Sequence, residues 1–109
     1  DAVVDTRALF HIGDAAQEAG NFTRALAAFE RGAALGDRDC LSRLAYLFDT
    51  GTGVKADKSV AMRLYRRAWR KEPSIVAGSN IAILYREQRQ WQAMFRWWQR
   101  VADTGDGSS

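Results

Sequence analysis

Apolar residues recur at helical spacing in six stretches of this chain, separated by short polar or glycine-containing breaks. From Asp5 to Ala19, the set Ala8, Leu9, Ile12, Ala15, Ala16 and Ala19 lies on one face, and Gly20 ends the stretch. Asn21 is placed to cap a second helix, whose stripe is Phe22, Ala25, Leu26, Phe29, Gly32 and Ala33. Gly36 and Asp37 separate it from a third helix over residues 38–49, where Leu44, Ala45, Leu47 and Phe48 share a face. After the glycine loop Gly51-Thr52-Gly53, Asp57 is positioned to cap a fourth helix reaching Lys71, with Val60, Ala61, Leu64, Tyr65 and Ala68 inward. Pro73 belongs in the first turn of a fifth helix, where its missing N–H is no loss. That helix carries Val76, Ile81, Ala82, Leu84 and Tyr85. The sixth presents Trp91, Met94, Phe95, Trp98, Val101 and Ala102 on one side. Trp97 then points away from the stripe, which predicts exposure or an interface for it. Residues 104–109, TGDGSS, are polar and read as a frayed, flexible tail.

The six helices fall into three pairs with a common register. Ile12, Gly13 and Ala16 match Leu44, Ala45 and Phe48, and then Ile81, Ala82 and Tyr85. On the second helices, Ala25, Phe29 and Gly32 match Ala61, Tyr65 and Ala68, and then Met94, Trp98 and Val101. The outer pairs share a short turn, Gly20-x-Phe22 against Arg89-x-Trp91, while the middle pair has a longer loop. This alternation of small and aromatic positions resembles the tetratricopeptide repeat. The middle unit, ALGD followed by LAYLFDTGTGVKADKSVAMRLYRRA, resembles the Sel-like repeat, a tetratricopeptide relative with a lengthened G-x-G-V turn before an Asp. Arg89, where a turn glycine is usual, and Met94, where alanine is usual, depart from the pattern. The resemblance implies an all-α fold of three antiparallel helix-turn-helix repeats in one domain. They span 5–37, 38–72 and 73–103, and stack in a short right-handed solenoid.

The resemblance also implies a function: binding a partner protein or peptide in a concave groove lined by the first helix of each pair, as an adaptor, assembly factor or inhibitor. Carried onto this chain, the groove positions are Arg7, Phe10, Asp14 and Gln17, then Asp39, Ser42, Tyr46 and Asp49, then Val76, Ser79, Ile83 and Arg86. All lie off the core stripe at helical spacing, which supports the assignment independently. Phe10, Tyr46 and Ile83 would be apolar anchors among polar groups, although each ring or chain would serve equally well packed on the adjacent helix. The aromatic content of the last helix exceeds what packing on its predecessor requires. It fits a following repeat, a partner, self-association, or simple closure of the core.

Composition narrows the remaining chemistry. Of the 109 residues 47% are apolar and one is proline, which suits a single ordered, helix-rich domain. No apolar run approaches the roughly 20 residues of a membrane helix. A single cysteine, Cys40, excludes an intramolecular disulfide and a cysteine-based metal site. With His11 the only histidine, no histidine cluster can form, so no cofactor is expected and an enzyme is disfavoured. Asp14 and Glu18, one turn apart, read as a solvated face. GTGVK lacks the preceding strand and the Gly-Lys-Ser/Thr run of a phosphate loop. Opening on Asp1 without a signal-peptide pattern reads as a processed chain or a piece of a longer one. A disulfide-free chain fits cytoplasm or periplasm, and the Ala- and Arg-rich composition fits a bacterial source.

Charge adds one alternative. Residues 55–100 hold eleven Lys and Arg against three acids, whereas residues 1–54 hold five against eight. Arg63, Arg66, Arg67 and Arg70 form a basic stripe on the fourth helix with Trp69 beside it, which would suit an anion or nucleic acid. Set against this, an arginine stripe on an outer helix face commonly serves solubility alone. An architectural or regulatory segment of a larger protein is the other alternative.

Overall fold

Helices in this chain begin where a side chain can satisfy the free N–H groups of a first turn. The structure is a computed structural model and describes residues 5–106, with side chains described for 5–104. Helix α1 (Thr6–Glu18) starts on Asp5, whose carboxylate accepts from the Arg7 amide at 2.9 Å. Asn21 caps α2 (Phe22–Ala34) through the Arg24 amide at 3.2 Å. Asp37 caps α3 (Arg38–Thr50) through the Cys40 amide at 2.9 Å. Asp57 caps α4 (Lys58–Lys71) by accepting from Ser59 and Val60 at 3.1 and 3.2 Å. Ser74 caps α5 (Ile75–Glu87) through the Ala77 amide at 3.2 Å, so Pro73 stands ahead of the cap rather than inside the first turn. The serine hydroxyl supplies what a proline cannot, an acceptor for the helix N–H groups.

The last helix, α6, runs over Trp91–Asp106. Residues 104–106 are therefore helical, not part of a flexible tail; the Thr104 hydroxyl donates back to the Arg100 carbonyl at 2.9 Å within the helix. Residues 107–109 lie outside the described set. Turns between helices use left-handed backbone at Gly20, Gly36 and Gly51, with φ of 81°, 86° and 71°. In the α5–α6 turn the same conformation falls to Arg89, at φ 60°.

All regular structure among the described residues is helical. Contacts are densest within α1–α2, α3–α4 and α5–α6, then between α2 and α3 and between α4 and α5. The three-residue turns of α1–α2 and α5–α6 make those pairs antiparallel, and the longer α3–α4 loop returns α4 along α3. The molecule measures 43 × 33 × 22 Å, elongated as a row of helix pairs should be. One core runs through the row, from Ala25 and Phe29 through Cys40, Leu41, Leu47, Ala61 and Tyr65 to Ala77, Ile81 and Ala82. Residues without a side chain set the closest approaches. A Cβ on Gly13 would meet the Phe29 ring at 2.5 Å, and one on Gly78 would meet Val101 at 2.5 Å and Trp69 at 2.8 Å. The long loop is part of this packing: Gly53 lies against Phe22, and Val54 reaches the core.

Helix α6 is rotated relative to its expected stripe. Trp97, expected outside, is 5% exposed and meets the Trp69 ring edge-on at 5.1 Å. Phe95 and Trp98, expected inside, are 67% and 37% exposed. Counting from the start of each second helix explains the burial. Trp97 occupies the position of Ala28 and Leu64, which are also buried.

Candidate functional site

The first helices of the three pairs contribute to one depression of about 430 Å³. From α1 come Phe10 and Gln17. Helix α3 supplies Arg38, Asp39, Ser42, Arg43 and Tyr46, and the start of α5 supplies Ser74, Val76 and Asn80. These positions share a side because they recur at i, i+3 or i+4 and i+7 on their helices, off the faces that enter the core.

Arg43 organises the α1 side. Its guanidinium donates to Asp14 at 2.6 Å and to Gln17 at 3.4 Å, and it lies 4.8 Å from the centre of the Phe10 ring. Arg7 lies 4.9 Å from that ring and donates to Asp39 at 2.5 Å. Asp39 also accepts from Arg38, which reaches Glu72 at 3.0 Å. Acids and bases on this wall are thus matched in pairs, and the guanidinium contacts hold Phe10 in place. The opposite wall is apolar and open: Tyr46 is 45% and Val76 62% exposed.

Six of the expected groove residues line the depression: Phe10, Gln17, Asp39, Ser42, Tyr46 and Val76. Arg7 and Asp14 stand behind the lining and brace it through Asp39 and Arg43. Asp49 lies outside the depression, its side chain largely covered and engaged within the protein. Its carboxylate accepts from Lys58 at 2.5 Å and from the Tyr65 hydroxyl at 3.4 Å, joining α3 to α4. That hydrogen bond holds Lys58 in its charged form, and Lys58 also reaches Glu87 on α5 at 3.5 Å. Ser79 and Ile83 are partly covered on α5 and Arg86 is exposed, all outside the depression. Trp97 is inside the protein. Arg38, Arg43, Ser74 and Asn80 line the site without having been expected there. Arg43 and Asn80 each directly follow a groove serine, so a stripe one residue wider would have included them.

Cys40 is a buried thiol beside Gly32, with its pKa pushed up to about 12 by burial first and then by the neighbouring Asp37 carboxylate. A proton held that firmly leaves little thiolate for nucleophilic chemistry at neutral pH. Partial burial pushes Asp37 up, yet hydrogen bonds from Cys40 and Thr6 and the charge of Arg7 hold it below the ordinary carboxylate range.

The basic stripe on α4 is not continuous. Arg66 turns inward, hydrogen-bonding the Tyr85 hydroxyl and approaching the Trp97 ring to 5.4 Å. Trp69 is partly buried and packs against Trp97 and Gly78. Arg63, Arg67 and Arg70 remain exposed. No helix among the described residues is long and apolar enough to cross a membrane. In comparison with known proteins, no family model matches the chain and no curated protein matches it.

Proposed function

We propose that this chain is a three-repeat, Sel-like and tetratricopeptide-like right-handed solenoid that binds an extended segment of another protein in the groove of α1, α3 and α5. The observation that carries this reading is the lining itself. One depression collects side chains from all three first helices and pairs an exposed apolar wall, Tyr46 and Val76, with a braced polar wall at Arg43 and Asp39. An extended peptide suits such a site, because its side chains can enter the apolar wall while Asn80, Ser42 and Gln17 meet its backbone amides. The pre-paired charges limit the reorganisation that binding requires.

The test is to pan a random peptide library on the 109-residue chain and measure the selected peptides by calorimetry. Tyr46→Ala is expected to weaken them about tenfold or more, as truncation of a central aromatic anchor does. Arg67→Glu, at an exposed position of α4 outside the depression, should leave binding unchanged. Undiminished affinity in a folded Tyr46→Ala protein would remove the groove from consideration.

A further inference from the structure

The arginines of α4 lack the partners that those of α1 and α3 have. Arg7 on α1 meets Asp39 at 2.5 Å, and on α3 Arg38 meets Glu72 at 3.0 Å and Arg43 meets Asp14 at 2.6 Å. Arg63, Arg67 and Arg70 are exposed on α4 and form no ion pair among the described residues. The acids nearest in sequence are engaged elsewhere. Helix α4 contains none, and of the three between residues 55 and 100, Asp57 caps the helix, Glu72 is taken by Arg38 and Glu87 by Lys58.

A helix face that serves solubility alone mixes both signs. The exposed side chains of α4 are instead Lys58, Ser59, Arg63, Arg67, Arg70 and Lys71. Arg63, Arg67 and Arg70 follow at i, i+4 and i+7, spacings at which like charges repel and weaken a helix. They span about 10 Å of helix length, and a ligand with a row of negative charge would remove the repulsion. Arg100 extends the positive field from α6. Itself exposed, it lies 4.6 Å from the centre of the Trp97 ring, and that ring meets Trp69 of α4 edge-on at 5.1 Å.

We infer that this face of α4, with Arg100 of α6, binds a nucleic-acid duplex by its phosphates, irrespective of base sequence. A phosphate backbone is a continuous row of like charges, and each unpaired guanidinium can grip two phosphate oxygens. Contacts of that kind carry no sequence information. An acidic protein or a membrane surface would ask for something else. Protein interfaces close around an apolar core, and a helix lying on a membrane inserts an apolar face. The exposed positions of α4 hold no apolar side chain, because Val60, Ala61, Leu64, Tyr65 and Ala68 are turned to the core. Nor does α4 expose an aromatic ring on which an unpaired base could stack, which favours a duplex over a single strand. The inference is independent of the groove, which α4 does not line.

The test is fluorescence anisotropy of a labelled random-sequence DNA duplex titrated with the 109-residue chain. Phosphate contacts from Arg63, Arg67, Arg70 and Arg100 predict that log K falls against log salt with a slope of about −3 to −4. Between about 50 mM and about 200 mM salt that is a loss of roughly 100-fold. Arg63→Gln combined with Arg67→Gln, both at exposed positions, should leave the circular dichroism unchanged, weaken binding and make the slope shallower by about two. Arg24→Gln, at an exposed position of α2, should match the wild type. No binding at about 50 mM salt with protein up to about 100 µM, the weaker end of non-specific affinities, overturns the proposal. So does an unchanged slope in the folded double variant, which would put the contact elsewhere on the protein. Polyglutamate that competes as well as unlabelled duplex at equal charge overturns it too, since the partner would then be an acidic protein. A single strand that binds more tightly than the duplex does the same.

Discussion

Arg89 occupies left-handed backbone in the α5–α6 turn, where the α1–α2 and α2–α3 turns use glycine. For an L-residue the Cβ and the following carbonyl crowd each other there, at a cost of about 1–2 kcal/mol. Replacement by glycine relieves that crowding, offset in part by the greater freedom of glycine in the unfolded chain. Arg89→Gly is expected to raise stability by about 0.5–1 kcal/mol on these terms, read as a higher urea midpoint with unchanged slope. Cys40 makes a second prediction at this scale. Its folded pKa of about 12 exceeds the roughly 8.5 of a free thiol, so the unfolded chain loses this proton first. The thiol's contribution to stability is complete below about pH 8.5 and is lost as pH rises towards the folded value. Tyr65, raised by burial first and then by Asp49, acts in the same direction at higher pH. Urea titrations from about pH 8 to about pH 11 should show falling stability, with a shallower fall in Cys40→Ala. A pH-independent midpoint would contradict this.

At the scale of elements, α6 separates what a helical pattern reveals from what it leaves open. Its amphipathic spacing was enough to establish that it is a helix. Which side enters the core depended on where α5 and Trp69 lie, and these place Trp97 inward. Trp97→Ala is expected to cost about 3–5 kcal/mol, as removal of a buried ring does. Trp98→Ala should cost markedly less, because Trp98 is 37% exposed; thermal melts of the two variants decide. Capping residues were legible at Asn21 and Asp57 because a short acceptor before an apolar stripe has one local use. The long glycine loop was equally legible as structure, and the contact of Gly53 with Phe22 gives the reason: the loop folds back onto the preceding pair.

For the whole molecule, the order of the helices along the chain decides most of the architecture. Short connections force neighbours to pack, and the helix contacts follow the order of the chain from α1 to α6. Of the positions read as a stripe on the first helices, only some line the depression. Asp49 left the set because Lys58 and Tyr65 capture its carboxylate. Arg43 joined it because Asp14 and Phe10 hold its guanidinium over the α1 wall. Arg66 left the outer basic stripe for the same kind of reason, drawn inward by Tyr85 and Trp97. Long charged side chains reach several partners, and their choice depends on neighbours distant in sequence.

By itself, then, the amino-acid sequence determined six helices, the caps at Asn21 and Asp57, the pairing of the helices and the all-helical class, because these depend on periodicity and on contacts within a few residues. Tertiary structure decided which aromatics of α6 are covered and which charges are spent on bracing. Those outcomes depend on the angle at which one helix meets the next, and that angle is set by volumes at the junctions, Gly32 on Cys40 and Gly78 under Trp69.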